Sequence, residues 1–117
     1  MTRPRVLVVD DHAGWRDVAR RMLSARFDVV GEAADAAAAL SLAAALRPDA
    51  VLLDVELPDA DGFSVARALA ASPSPPCVVL VSVRTEHGRL VERSGACGFV
   101  VKADLTADGL LRLLAGC

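Results

Sequence analysis

Two short runs decide the fold: Val6-Leu7-Val8-Val9-Asp10-Asp11 and Ala50-Val51-Leu52-Leu53-Asp54. Each is an unbroken apolar stretch that stops at an acid. A half-exposed strand alternates apolar and polar residues, whereas an unbroken run belongs to a strand buried on both faces, as in a parallel sheet. Asp28-Val29-Val30-Gly31-Glu32-Ala33 is a second short strand, and two further apolar runs end in polar residues: Cys77-Val78-Val79-Leu80-Val81 in Ser82 and Gly98-Phe99-Val100-Val101 in Lys102.

Helical spacing fills the intervals. From Gly14, the residues Trp15, Val18, Ala19, Met22 and Leu23 form one apolar stripe, with Arg16, Asp17 and Arg20 opposite. Asp35 is a good N-cap for a helix over Ala36–Leu46 with Leu40, Ala43 and Leu46 on its apolar face. Pro48 closes that helix by disfavouring helical geometry at Arg47. Phe63, Ala66, Leu69 and Ala70 space a third helix, after a turn-rich loop from Val55 to Gly62. A fourth spans Glu86–Ser94, weakened by Gly88 at about 1 kcal/mol relative to Ala. Thr106 caps a fifth, bearing Leu110, Leu111, Leu113 and Leu114 as either a wide core face or a partner patch. Five strands alternating with five helices predict one α/β domain over residues 1–117, with helices on both faces of a parallel sheet.

Composition narrows the function. Thirteen basic and fifteen acidic residues give a net charge of −2, which leaves no basic field for direct nucleic-acid binding. Mean hydropathy is +0.42, yet no apolar stretch approaches the roughly 20 residues of a spanning helix. The start, Met1-Thr2-Arg3-Pro4-Arg5, does not read as a signal peptide. Cys77, Cys97 and Cys117 fit no metal spacing and read as two small core residues and one free thiol at the chain end. Free thiols suit a reducing, cytoplasmic compartment.

The strand ends carry the chemistry. In an open parallel sheet they share one edge, where ligands bind. Here that edge gathers Asp10, Asp11, Asp54, Ser82 and Lys102. One polar strand cap means little, but three carboxylates, a hydroxyl and an ammonium on one rim call for a shared task. Three ionised acids need a compensating charge, and a hard cation such as Mg²⁺, or Mn²⁺, supplies it. With a lysine and a hydroxyl converging, the set suits phosphoryl transfer to a carboxylate.

The ordered set resembles the receiver domain of two-component response regulators, almost end to end. Its marks are Asp10-Asp11, Asp54 followed by Pro58 and Asp61-Gly62, Ser82, and Phe99 with Lys102 three residues on. The run Val8-Val9-Asp10-Asp11-His12 is similar to the branch whose longer members end in a helix-turn-helix DNA-binding domain. The resemblance implies a flavodoxin-like doubly wound sheet of order 2-1-3-4-5. It implies phosphorylation of Asp54 by a histidine kinase or phosphotransfer protein. It also implies Mg²⁺ held by Asp11, Asp54 and the Glu56 carbonyl, with Asp10 acting indirectly. Lys102 would pair with the phosphoryl oxygens, Ser82 would move to bond them, and Phe99 would turn inward. The face made by the fourth helix, fifth strand and fifth helix would change, and a homodimer could form through it.

The sequence departs from the family at several points. Val83 follows Ser82 where relatives carry Ala or Gly, and Ala103 follows Lys102 where Pro is common. Val83 is expected to narrow the approach to Asp54, with Glu56 and Arg84 as a solvated lid. Two other readings stand beside the first: a pseudo-receiver that binds partners without phosphorylation, and a phosphatase with an aspartate nucleophile. The phosphatase reading lacks a second Asp two residues after Asp54, where Glu56 stands. Trp15 packs either in the core or at the site entrance, and His12 reads as a capping or solvated residue.

Overall fold

Unbroken apolar runs become central strands because both of their faces find helices. In a computed structural model, described for residues 3–84, 91 and 93–117, the strands are β1 (Arg5–Val9), β2 (Asp28–Ala33), β3 (Ala50–Asp54), β4 (Cys77–Ser82) and β5 (Gly98–Val101). They form one parallel sheet in the order β2-β1-β3-β4-β5, as expected. Alternate residues feed two cores. Leu7, Val9, Val51, Leu53, Val78 and Leu80 face α2 (Ala36–Leu46) and α3 (Gly62–Ala70). Val6, Val8, Leu52, Val79 and Val81 face α1 (Ala13–Leu23) and the C-terminal helix α4 (Ala107–Ala115). Each fully buried Val or Leu contributes about 1.5–3 kcal/mol of transfer free energy, so these runs hold the sheet.

The caps follow the sequence. Asp35 accepts from the Ala38 amide at 2.7 Å, Asp61 from Ser64 at 2.8 Å and Thr106 from Gly109 at 2.9 Å. Arg47, ahead of Pro48, leaves the helical region for φ 49°, which ends α2. The predicted helix Glu86–Ser94 lies outside the described residues, apart from Val91, Arg93 and Ser94, which are helical.

Three expectations are corrected. Val18 is 55% exposed and Leu40 38%, so neither lies on a buried stripe. In α2 the inward face is Ala36, Ala39 and Ala43, because small side chains let the helix approach the sheet closely. The cysteines are not two core thiols and a free end. Gly98 packs against Leu113, which brings the end of the C-terminal helix to the start of β5. Cys97 and Cys117, both exposed, are joined there in a disulfide with Cα atoms 5.5 Å apart, within the normal range. Cys77 stays a half-buried thiol, its pKa pushed up by burial and by Asp49. With Cys97 and Cys117 joined, the cysteines no longer point to a reducing compartment. Among the described residues, no helix is long and apolar enough to cross a membrane.

Candidate functional site

The register of β1, β3 and β4 brings their carboxyl ends to one edge. Asp10 follows Val9, which pairs with Leu53, and Asp54 pairs with Val81. Lys102 opens a short 3₁₀ turn directly after β5. Its ammonium lies 2.6 Å from Asp10 Oδ2 and 3.3 Å from Asp54 Oδ2, bridging the two buried acids. Trp15, partly buried on α1, places its ring face 4.6 Å from the same ammonium. It thus serves both the core and the site.

Asp10 is fully buried. Its Oδ1 accepts from the His12 amide at 2.8 Å, while Oδ2 faces the Lys102 ammonium at 2.6 Å. Asp54 Oδ1 accepts from the Glu56 amide at 3.0 Å. Ser82, buried, accepts through Oγ from the Arg84 amide at 3.1 Å. Asp11 is more open, and its Oδ1 lies 3.0 Å from His12 Nδ1. His12 is at the start of α1, and its ring also lies 3.1 Å from Asp10 Oδ1. The opening is lined by Asp11, Asp54, Glu56, Ser82, Val83 and Lys102 among others, and Val83 is 70% exposed there. Among the described residues no ion pair joins Glu56 to Arg84, so the proposed lid is not formed by that contact. Phe99 is half-buried in β5, packed against the core on the α3 side.

Charge at the site is unbalanced. Burial first and neighbouring Asp10 second push the Asp54 carboxyl up to about 6, against the Glu56 amide and Lys102. For Asp10, burial also opposes ionisation, but hydrogen bonding with Asp54, Lys102 and the His12 amide holds it below the usual range. Burial works against the Lys102 charge, yet the two carboxylates keep its pKa raised. Oxygen or nitrogen atoms of Asp10, Asp11, His12 and Asp54 all lie within 4.8 Å of one another. Three clustered carboxylates against one ammonium make an oxygen-rich donor set with charge left over, which fits a hard divalent cation.

The raised Asp54 has a consequence for stability. An unfolded aspartate titrates near 3.9, so between about pH 4 and 6 the folded chain keeps a proton that the unfolded chain has lost. Stability from this group is greater at the acid end of that window and falls as pH rises through about 6. The denaturation midpoint of the metal-free protein should therefore rise from pH 7 to pH 5, by no more than about 1.4 kcal/mol per pH unit. Subtracting the same measurement on Asp54→Asn isolates this group from the two histidines. A difference that is flat or of opposite sign would show that Asp54 is not the acid held protonated.

Two contributors were not legible in the sequence. Arg16, expected on the polar side of its helix, donates to the Asp10 carbonyl at 2.6 Å and pairs with Glu32 at 3.2 Å. Asp59, read only as turn chemistry, accepts from the amides of Ala36 and Ala37 at 2.8 and 3.1 Å. It ties the loop after Asp54 to the start of α2. For Trp15 the sequence leaves core and site entrance as alternatives, and the structure gives it both.

Comparison with known proteins agrees with this arrangement. The family model described as the response regulator receiver domain matches residues 6–113. The signal receiver domain of the NarL response regulator from Mycobacterium tuberculosis superposes with a TM-score of 0.91 at 38% identity, covering 100% of both chains. The receiver domain of Thermotoga maritima CheB superposes with a TM-score of 0.84 at 31% identity, covering 97% of this chain and 94% of that one. A protein-glutamate methylesterase/protein-glutamine glutaminase of Anaeromyxobacter dehalogenans is 40% identical over 96% of this chain and 36% of its own length. The M. tuberculosis protein named probable transcriptional regulatory protein NarL is 40% identical over 97% of this chain and 54% of its own. The chain thus spans between about a third and half of these two relatives. From its sheet order, the charges at its strand ends and a match over nearly its whole length, this chain belongs to the receiver domains of two-component response regulators.

Proposed function

We propose that the chain, as a single receiver unit over residues 1–117, accepts a phosphoryl group on Asp54 from a phosphohistidine of a sensor kinase or phosphotransfer protein. The observation that carries this reading is the buried Asp54 carboxylate, bridged to Asp10 by Lys102 beneath an opening to solvent. An Asp54 oxygen attacks phosphorus. The new P–O bond forms as the P–N bond to the donor imidazole breaks, and the imidazole leaves with that electron pair. Lys102 is placed to follow the developing charge from the carboxylate to the phosphoryl oxygens. Ser82 Oγ accepts from the Arg84 amide, which leaves its O–H to donate to the phosphoryl oxygens as the side chain moves, and Phe99 responds to the space it leaves. Mg²⁺ or Mn²⁺ would be held by Asp11, Asp54 and the Glu56 carbonyl, with Asp10 acting indirectly, and would supply charge that offsets the acids. The reaction belongs to a signalling pathway, its output read by a partner or second copy at the face that includes β5 and the C-terminal helix.

Intact-mass measurement after treatment with a small acyl phosphate, with and without Mg²⁺, tests the reading. A metal-dependent, base-labile phosphoryl adduct is expected. Its absence under all conditions, with the fold intact, would leave the pseudo-receiver as the better description.

Two further results should accompany it. By calorimetry, Asp11→Ala should weaken Mg²⁺ binding by about tenfold or more, equivalent to about 1.4 kcal/mol. An unchanged affinity removes Asp11 from the ligand set. Val83→Ala should accelerate both phosphorylation by small donors and hydrolysis of the product, because a stiff β-branched side chain crowds the opening. If neither rate rises by more than about twofold, less than about 0.4 kcal/mol of barrier is involved and Val83 is not a gate.

A further inference from the structure

All three cysteines of the chain meet at the sheet edge opposite the acids. Cys77 opens β4, Cys97 directly precedes β5, and Cys117 follows the C-terminal helix. Their sulfurs lie within 4.8 Å of one another. Each is set by its own backbone: Cys77 donates to the Asp49 carbonyl at 3.0 Å, Cys97 to Val78 at 2.7 Å and Cys117 to Leu114 at 3.1 Å. Three sequence-distant segments thus deliver every thiol of the molecule to one point.

We propose that this trio is a thiolate site for Zn²⁺, in competition with the Cys97–Cys117 disulfide. Zinc–sulfur bonds of about 2.3 Å set sulfurs about 3.8 Å apart around a tetrahedral ion, which small side-chain rotations of the observed trio achieve. Thiolates select a borderline-soft d¹⁰ cation over Mg²⁺, so the two ends of the sheet take different metals. Two of the ligands are exposed, so the fourth position is open to water. The electron balance is simple. A dithiol passes two electrons and two protons to the Cys97–Cys117 bond and becomes a disulfide itself. Zn²⁺ then replaces three thiol protons, leaving a site of net charge −1. Closing the disulfide again removes two of the three ligands, so metal and disulfide exclude each other.

The site is tested on the full chain, reduced by a dithiol that is then removed under argon, with Co²⁺ and Cd²⁺ as optical probes. Thiolate-to-metal charge transfer reports sulfur ligation only, so ions in the acidic pocket do not contribute. A band should saturate at one equivalent, be displaced by Zn²⁺ and be absent from the oxidised protein. Cys77→Ser and, separately, Cys117→Ser should each weaken binding by about a hundredfold. Cys117 lies beyond the last helix, so its replacement leaves the fold intact. Asp54→Asn should leave the band unchanged, which makes the outcome independent of the phosphoryl reading. No band in the reduced protein, or a band of the same affinity in either serine variant, overturns the proposal.

Discussion

Asp54→Asn should abolish phosphoryl uptake, with a rate at least about a thousandfold below that of the unaltered chain, or about 4 kcal/mol of barrier. The amide keeps the shape of the side chain but lacks the charged oxygen that attacks phosphorus. Asp10 cannot substitute, being fully buried and bridged by Lys102. Asp11 and Glu56 are open to solvent, and among the described ion pairs Lys102 joins Asp10 and Asp54 instead. The variant should also unfold later than the unaltered chain at pH 7 without metal, since a buried carboxylate pushed up to about 6 is removed. Loss of reaction would then occur in a more stable protein, which excludes unfolding as its cause. A labile adduct on the Asn variant at the original rate would falsify the assignment of Asp54. Intact mass and a denaturant curve on the same samples decide both points.

Gly62→Ala should produce the largest loss of stability from a single methyl group. A β-carbon there would meet the Asp54 carbonyl oxygen and come within 2.8 Å of Val55 Cα, both parts of the backbone. Neither can rotate away. The Gly62 amide also donates to the Val55 carbonyl at 2.6 Å, closing the loop behind Asp54. Relief requires moving that loop, at about 2–3 kcal/mol, which lowers the thermal midpoint by about 10 °C in a chain of this size. The same movement disturbs the Glu56 amide that holds Asp54, so phosphorylation should slow as well. Gly14→Ala is the contrasting substitution. Nothing lies within 4 Å of a β-carbon at that position in α1, so it should stabilise by about 0.5–1 kcal/mol. If both variants shift the midpoint in the same direction, local crowding at Gly62 is not the cause.

What the sequence discloses and what it conceals follow from the range of the interactions. The central strands β1, β3 and β4 are legible because each is a contiguous apolar run whose burial needs no knowledge of its neighbours. The strand-end residues are legible for the same reason, and parallel topology alone collects them on one edge. The inward face of α2 is not legible, since Ala-Ala-Ala-Ala-Leu-Ser-Leu-Ala-Ala-Ala-Leu offers apolar residues on every side. There the sheet selects the smallest side chains, and Leu40 is left outward. Asp59 and the cysteines are concealed differently. Their partners lie 22 to 23 residues away for Asp59 and 20 for Cys97, and no periodic pattern links such distances.

The contact between Lys102 and Trp15 has a practical side. The chain has one tryptophan and no tyrosine. Its indole emission therefore comes from a single place, and that place is 4.6 Å from the ammonium joining the two buried acids. A positive charge over the ring face shifts the excited state, and withdrawing the charge shifts it back. Whatever draws the lysine toward an incoming anion changes the colour and brightness of the protein. The molecule thus carries its own optical gauge, readable on the timescale of mixing and without any attached dye.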